Sequence, residues 1–422
     1  MTRHYDALGE TCFHRTLENG LSVAVVKRRG FQRKLAYFVT DFGSIHTAFE
    51  LEGVRYSTPA GVAHFLEHKM FELPGRDVTA EFAARGANVN AFTSYDMTAY
   101  YFHCTENFEE NLRLLLEFVS TPYFEAESVQ REMGIIDQEI GMNADSPDTQ
   151  GFELLMGSMY RSHPIYVPIL GTSESIRQIT PEILHTVHRA FYTPANMILC
   201  VVGDVDPEQV CAIAETVLGA EKKPAGKKLR LWQEDMTVGP DCKRQMEVSM
   251  PAFQLGFKCE SIGTGIDAIR QEIVGDLAAE ALFGESSSLY LRLYEEGLID
   301  SSFGGGFETV DGCALLTCSG DSEDADTVRS RILEQARYLL EKGIEEADFL
   351  RMKRSALGRR IRDLDSFDST AFRVCAYHMS GFDYFDFPAV YAAVKTEDVL
   401  AFLQRVVRQE RCALSVIEPL TE

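Results

Sequence analysis

Two histidines and a glutamate in the segment His64-Phe65-Leu66-Glu67-His68 have the types and spacing of a catalytic metal site. On an α-helix, residues four positions apart share one face at about 6 Å, so both imidazoles can bind one small cation. Glu67 lies close to that face and can act as a general base without being a ligand. A catalytic zinc ion needs this arrangement, because it combines few protein ligands with an open position and a nearby carboxylate. The order H-x-x-E-H is the reverse of the H-E-x-x-H order, in which two helical histidines also bind zinc.

The alternative interpretation of this segment is a surface helix that happens to carry two histidines. The flanking residues Ala63, Phe65, Leu66 and Met70 are apolar, which favours a substantially buried helix. Two imidazoles and a carboxylate packed together inside a protein need a partner that offsets their desolvation. The pattern therefore favours a metal-binding site over a surface helix that carries two histidines by chance.

A third ligand must come from another segment, and residues 131–140 are the best candidate. The segment is predicted to be helical, and its Glu132 and Glu139, seven positions apart, lie on one face. One carboxylate can bind the metal while the other holds a ligand imidazole through its second nitrogen. The spacing does not decide which carboxylate does which, and a solvated charged face is the alternative interpretation.

The elements that position these residues can be predicted from hydrophobic periodicity and from turn and capping residues. In the first half they are strands 21–26 and 35–40, helices 61–71 and 78–84, strands 88–94 and 97–104, helices 108–119, 126–142, 152–159 and 181–191, strand 197–202 and helix 207–218. In the second half they are strands 245–250 and 253–257, helices 267–283 and 287–296, strands 301–307 and 313–319, helices 324–340, 345–363, 366–379 and 396–408, and strand 412–417.

The order of elements is similar in the two halves, which indicates duplication of one α+β unit of about 210 residues. We therefore predict an α+β fold with two homologous-looking domains, each a mostly antiparallel sheet with helices packed on one face. The predicted domains are residues 1–221 and 243–422, joined by a linker at 222–242. This linker contains the basic, Pro- and Gly-containing stretch 222–228, which lacks apolar periodicity.

Composition limits the classes of function and partner. The chain has 422 residues, 45% of them hydrophobic, and its 64 acidic and 41 basic residues give a formal charge of −23. Such a charge repels phosphate backbones and anionic lipids, so we expect neither nucleic acid nor membrane as a partner. The N-terminal residues lack an apolar signal segment, and the ten cysteines have no CxxC spacing. Both features favour a cytoplasmic protein with reduced thiols.

Several motifs occur in the order that is typical of one peptidase family. They are GVAHFLEHKMFE at residues 61–72, NAFTS at 90–94, the Glu132 and Glu139 pair, and YTPANM at 192–197. In these motifs the chain resembles the M16 (pitrilysin/insulinase, mitochondrial processing peptidase) family, most closely its bacterial, subunit-sized members of the YmfH type. The resemblance covers most of the first half with specific motifs, and the second half by general pattern.

The resemblance implies an M16/LuxS-like metallohydrolase fold and a zinc peptidase, with one Zn²⁺ in each chain. It assigns His64, His68 and Glu139 as zinc ligands, Glu67 as the base and Glu132 as the carboxylate behind a ligand imidazole. It also implies that residues 90–92 (Asn90, Ala91 and Phe92) lie on an edge strand that pairs with the substrate backbone. Such pairing recognises extended peptides and excludes folded ones.

One departure from the family pattern affects the expected assembly. Active members bring an Arg and a Tyr from the second half to the substrate carbonyl, but this chain has Tyr294 and Asp300 at the comparable positions. Arg292 is nearby but out of register. Since a site without this electrophilic help loses transition-state stabilisation, we expect a dimer, with a heterodimer favoured over a homodimer. A partner would supply the missing residues and complete a clam-like chamber for short or unfolded peptides.

A second function from another class remains open at this stage. The chain can be an M16-like scaffold or peptide-binding subunit that kept the fold and lost catalysis. The complete set of His64, Glu67 and His68 argues against this alternative, whereas Tyr294 and Asp300 argue for it.

Overall fold

The computed structural model describes residues 1–420, and the chain forms two compact units. The first unit contains Met1–Ile140, Pro168–Leu231 and Ile361–Asp386. The second contains Gly141–Val167, Trp232–Arg360 and the residues from Phe387 onward. Each unit therefore includes a segment from the other half of the chain.

The strands are, in chain order, β1 (Thr2–Tyr5), β2 (Glu10–Thr16), β3 (Ser22–Lys27), β4 (Lys34–Thr40), β5 (Ala48–Leu51), β6 (Val54–Ser57), β7 (Glu72–Leu73), β8 (Arg76–Asp77), β9 (Ala87–Thr93), β10 (Thr98–Cys104), β11 (Met197–Gly203), β12 (Lys227–Lys228), β13 (Cys242–Met246), β14 (Ala252–Cys259), β15 (Gly304–Val310), β16 (Cys313–Asp321) and β17 (Cys412–Pro419).

The α-helices are α1 (Val62–Met70), α2 (Val78–Ala84), α3 (Phe108–Ser120), α4 (Ala126–Ala144), α5 (Pro147–Met159), α6 (Ser173–Ile176), α7 (Pro181–Phe191), α8 (Pro207–Leu218), α9 (Gly265–Phe283), α10 (Ser288–Glu295), α11 (Ala325–Lys342), α12 (Glu346–Arg362), α13 (Phe367–Met379), α14 (Phe387–Ala393) and α15 (Thr396–Val406).

The first unit is built on a seven-stranded sheet with the order β1-β2-β3-β11-β4-β10-β9. The pairing of β11 with β3 is parallel, and the other pairings are antiparallel. On one face, side chains such as Phe38, Tyr100 and Leu199 join a continuous apolar core with α1, α3, α7 and α8. The strand β9 is the last in the order, so one of its backbone edges is not paired within this sheet.

A helix from the second half of the chain covers the opposite face of this sheet. The helix α13 packs against β4 and β11, and Phe372 lies 6.0 Å from the ring of Phe92 on β9. Tyr37 and Val39 on this face are buried, although they alternate with residues of the main core. The sheet is therefore buried on both sides in its centre, which explains the nearly continuous apolar sequence of β11.

The second unit repeats the strand arrangement of the first. Its sheet has the order β13-β17-β14-β16-β15, with β13 and β17 parallel and the other pairs antiparallel. This matches β3-β11-β4-β10-β9 strand for strand. One face packs on α9 and α15, and the helix α5, from the first half, packs on β13, β14 and β17. Gly256 permits this approach, because a Cβ there would lie 2.5 Å from Sδ of Met159.

The predicted fold class is confirmed: the chain has two α+β units with largely antiparallel sheets. Part of the predicted linker, Lys227–Lys228, is a short strand that pairs with β5 in the first unit. Among the helices of residues 1–420, none combines the length and the apolar character that crossing a bilayer requires.

Candidate metal centre

The helix α1 brings together the buried imidazole of His64 and the half-buried imidazole of His68. It begins after Gly61, which has a φ of 87° and whose Cβ, if present, would lie 2.4 Å from the carbonyl oxygen of Leu170. Glycine is therefore the residue that allows the chain to enter this helix. His64 and His68 are one turn apart, and their ring centroids are 4.5 Å apart.

Glu139 on α4 reaches both imidazoles from the facing side. Its Oε2 atom lies 3.7 Å from Nε2 of His64 and 3.7 Å from Nε2 of His68. These distances are too long for hydrogen bonds. They are close to the spacing of about 3.4 Å between ligands on a tetrahedral zinc ion. Within residues 1–420, these three side chains form the one cluster whose ligand atoms lie within 4.8 Å of one another. Two imidazole nitrogens and a carboxylate oxygen are donors that suit zinc, so the residues fit the expected metal.

Glu132 lies behind the site. Its Oε1 atom is 2.9 Å from Nδ1 of His68, which leaves Nε2 of the same ring directed towards Glu139. A carboxylate on the second nitrogen fixes both the orientation and the tautomer of a ligand imidazole. Of the two carboxylates, Glu139 is thus the one that shares a point with both imidazoles, and Glu132 lies behind the ring of His68. Among the described residues, Nδ1 of His64 is buried and has no such partner.

The pKa values of the two histidines are shifted in opposite directions. Burial, and then the neighbouring His68, lower the pKa of His64 to about 3. For His68, burial alone would lower the pKa, but the hydrogen bond with Glu132 and three nearby carboxylates together raise it above its ordinary value. His64 is therefore a neutral imidazole over the physiological range, as a metal ligand must be.

Glu67 is buried beside the imidazoles and is held by the edge strand. Its side chain accepts a hydrogen bond of 2.8 Å from Oγ1 of Thr93. Burial raises the pKa of Glu67, and the bond from Thr93 partly opposes this shift. A carboxylate with a raised pKa is a stronger base than an exposed one, which suits a group that takes and returns a proton near neutrality.

The predicted substrate-binding residues lie on β9, at the edge of the sheet. The backbone N–H of Ala91 donates 2.8 Å to Oδ1 of Asn90, so it does not bond to β10. In an antiparallel pair, alternate residues direct their backbone groups away from the partner strand. The edge at Ala91 is therefore available to another extended chain. The side chain of Phe92 lies on the face of the sheet that α13 covers, near Phe372.

Three contributors to the site were not predicted from the sequence. Thr93 lies within the NAFTS motif, but the sequence pattern assigns it no role. Lys69 follows His68 on α1, and Ser128 lies one turn before Glu132 on α4. The ammonium of Lys69 donates a hydrogen bond to the hydroxyl of Ser128, and the sequence pattern gives no signal that these two residues meet. Lys69 directly follows the H-x-x-E-H motif. A charged residue on a helix that is otherwise predicted to be buried indicates that it has a buried partner.

The segment that departs from the family pattern lies in the second unit. Tyr294, on α10, is 55% exposed, and its ring stacks on that of Tyr290 at 6.1 Å. Asp300 is exposed after the helix, and its carboxylate accepts a hydrogen bond of 2.7 Å from the backbone of Ser302. Among the described residues, Nε and Nη2 of Arg292 are buried without a hydrogen-bond partner.

Comparison with known proteins gives consistent matches along the chain. A family model described as "Insulinase (Peptidase family M16)" matches residues 52–173, and one described as "Peptidase M16 inactive domain" matches residues 178–356. The chain is 34% identical over 425 residues to YmfH of Bacillus subtilis, named as an uncharacterized zinc protease, with 98% of each chain covered. An uncharacterized zinc protease of Rickettsia felis is 29% identical over 212 residues, which cover 49% of this chain and 50% of the relative.

Two solved structures have the same fold over nearly the whole chain. An M16-like peptidase from Alicyclobacillus acidocaldarius has a TM-score of 0.93 at 33% identity, covering 98% of this chain and 99% of the other. A protease from Helicobacter pylori has a TM-score of 0.84 at 19% identity, covering 97% and 99%. The second likeness concerns the fold alone.

Proposed function

The chain belongs to peptidase family M16, and on that premise we propose that it is a zinc-dependent endopeptidase that hydrolyses short or unfolded peptides. The single observation that carries the proposal is the convergence of His64, His68 and Glu139 on one point. The buried Glu67 beside them has the position of a general base.

His64, His68 and Glu139 would hold the metal, and Glu132 would hold the ring of His68. When bound, zinc supplies a Lewis acid that polarises the scissile carbonyl and lowers the pKa of water. Glu67 takes the proton from the attacking water and then delivers it to the leaving amine. Thr93 holds one carboxylate oxygen of Glu67, which limits the orientations that the base can adopt.

The substrate class follows from the free edge of β9. A peptide in an extended conformation can add to this edge as one more strand, and backbone hydrogen bonds then recognise it with little dependence on sequence. The N–H of Ala91 donates a hydrogen bond to Oδ1 of Asn90, so a carbonyl oxygen of the incoming peptide would replace Oδ1 as its acceptor. A folded protein offers no such free strand, which restricts substrates to short or unfolded chains.

We also propose that the chain is the zinc-bearing subunit of a dimer, with a partner of the same family supplying the missing Arg and Tyr. The exposed Tyr294 and Asp300 support this proposal, because neither reproduces the electrophilic pair of the family. The ten cysteines are free in the structure, which supports a reducing, cytoplasmic location. Co-purification from the source cell tests the dimer: a similar-sized partner supports a heterodimer, and full activity of the pure chain alone argues against one.

Cleavage of an unfolded peptide by the purified chain, with and without its partner, tests the peptidase. We expect turnover that a chelator abolishes and that added zinc restores. The second candidate, a non-hydrolytic peptide-binding subunit, is favoured by the same Tyr294 and Asp300. Peptide binding without hydrolysis, in the zinc-loaded protein with every candidate partner present, would support that candidate.

A further inference from the structure

A buried ammonium lies directly beside the metal-binding residues on α1. The side chain of Lys69 is 1% exposed, and its Nζ donates hydrogen bonds to Oε2 of Glu72 and Oγ of Ser128. The hydroxyl of Ser128 in turn donates to Oε2 of Glu72. A buried charge is costly unless it is paired and hydrogen-bonded, and here both conditions are met. These three residues are called the polar clamp below.

The polar clamp joins the two helices that make up the metal centre. Lys69 belongs to α1, which carries both imidazoles, whereas Ser128 belongs to α4, which carries the two carboxylates. Ser128 precedes Glu132 by four positions, which is one helical turn. A bond at Ser128 therefore limits both the rotation and the axial position of α4 where it faces His68.

The apolar contacts of α4 do not by themselves fix its position along the helix axis. It has 19 residues, and its buried side chains are those of Ser128, Val129 and Ile136. Val129 and Ile136 belong to the apolar core, and Met133 and Ile140 pack against it while partly exposed. Such apolar contacts bury surface, but they do not fix the position of a helix along its axis to a fraction of an ångström. Metal ligation needs that accuracy, because ligand distances are restricted to about 0.2 Å.

We propose that the polar clamp of Lys69, Glu72 and Ser128 positions Glu132 and Glu139 against the imidazoles, so that the affinity for the metal depends on it. The inference rests on the metal centre of the proposed function, and it does not depend on peptide hydrolysis. It makes Lys69 a positioning residue that acts through α4.

Simple electrostatics predicts the opposite effect of removing Lys69. An ammonium on the helix that holds both imidazoles repels a divalent cation, so its loss alone would tighten metal binding. The polar clamp predicts that metal binding weakens, because α4 loses its fixed position. The sign of the change therefore distinguishes the two effects.

A matched control exists in the second unit. Lys258 is 2% exposed, and its Nζ lies 2.8 Å from Oε2 of Glu234 and 2.6 Å from the carbonyl oxygen of Met159. Substitution of Lys258 by Met removes a buried ammonium of the same kind outside the unit that holds the metal centre. It controls for general loss of stability.

The experiment measures the affinity of the full chain for Zn²⁺ by competition with a chromophoric chelator. We expect Lys69→Met to weaken binding about ten-fold, the lower end of the range for residues behind metal ligands. Ser128→Ala should weaken it several-fold and leaves the charges in place, which keeps the test valid if Lys69→Met fails to fold. Lys258→Met should lower the melting temperature without changing the affinity for Zn²⁺.

A double-mutant cycle of Ser128→Ala with Glu132→Gln tests whether the polar clamp changes the affinity for zinc by positioning Glu132. If the polar clamp acts through α4, the two losses are not additive. Unchanged or tighter zinc binding in both Lys69→Met and Ser128→Ala overturns the inference while the proposed peptidase stands. Zinc binding that depends on the clamp, in a chain that cleaves no peptide, overturns the peptidase while the clamp stands. A native chain that binds no zinc overturns both.

Discussion

The hydroxyl of Thr93 donates a hydrogen bond of 2.8 Å to Oε2 of Glu67, so the edge strand β9 and the helix α1 meet at this carboxylate. Thr93 lies two residues after Ala91, whose N–H is held by the Asn90 side chain. The same strand thus has an unpaired edge at Ala91 and holds the carboxylate that we propose as the base. A peptide bound at this edge is therefore brought into register with the base.

The first prediction concerns the pH dependence that Thr93 gives to Glu67. A general base works as the carboxylate, and the bond from Thr93 lowers the pKa of Glu67 against the effect of burial. In Thr93→Val the pKa of Glu67 rises, so the acidic limb of the kcat/KM profile moves to higher pH. Activity should fall more at pH 6 than at pH 8. Thr93→Ser keeps a hydroxyl and should keep the native profile, whereas an unshifted limb in Thr93→Val would contradict the role.

The second prediction separates catalysis from metal binding at Glu67. In Glu67→Gln the shape and burial of the side chain remain, but the amide cannot accept the proton of water. We expect turnover to fall by about 10²–10⁴-fold, the usual contribution of a general base. Zinc content and peptide affinity, measured by metal analysis and by a binding assay, should stay at native values. Retained turnover would remove Glu67 from the mechanism.

The metal motif could be predicted from the sequence because its geometry is local. His64, Glu67 and His68 lie within two turns of one helix, and helical periodicity fixes their relative positions. The roles of Glu132 and Glu139 depended on the family resemblance, since both lie on one face of α4 and only the tertiary fold brings Oε2 of Glu139 to the imidazoles.

Contacts between distant segments could not be predicted. The pattern gave α5 and α13 as helices, but an apolar helical face does not indicate which sheet it covers. The short strands β1 and β5 were missed, because four residues with charged or exposed members show no clear alternation. The bonds of Lys69 to Ser128 and of Thr93 to Glu67 were also missed, since hydrogen bonds between residues 59 and 26 positions apart leave no local pattern.

The third prediction ranks three glutamates of α4 by their effect on zinc affinity. Glu139→Gln removes a charged ligand and should weaken binding by more than about 100-fold, whereas Glu132→Gln leaves the ligands in place and should cost about 10–100-fold. Glu127 lies on the same helix with a side chain 90% exposed, so Glu127→Gln is the matched control and should have no effect. Chelator competition measures all three. Equal losses for Glu132 and Glu127 would mean that Glu132 does not hold the ring of His68.

The fourth prediction concerns the protonation states of His64 and His68 in the metal-free protein. The pKa of His64 is about 3, because its ring is buried beside His68, so its signal should not titrate between pH 5 and 8. Burial lowers the pKa of His68, but the hydrogen bond with Glu132 and the nearby carboxylates outweigh it and raise the pKa, so the midpoint of His68 should lie above that of an ordinary histidine. NMR of histidine-labelled protein, assigned with single His→Gln variants, measures the midpoint of His68 and shows whether His64 titrates between pH 5 and 8.

Zinc needs both rings deprotonated, so binding between pH 5 and the pKa of His68 should release a proton from His68 and none from His64. Its affinity should accordingly fall as pH drops below the midpoint of His68, since protonated His68 must first lose its proton. In Glu132→Gln the negative charge is lost and only a neutral amide oxygen is left to accept from His68, so the midpoint of His68 should move down towards that of an ordinary buried histidine. A midpoint that stays unchanged in this variant would show that Glu132 does not set the charge of the ring.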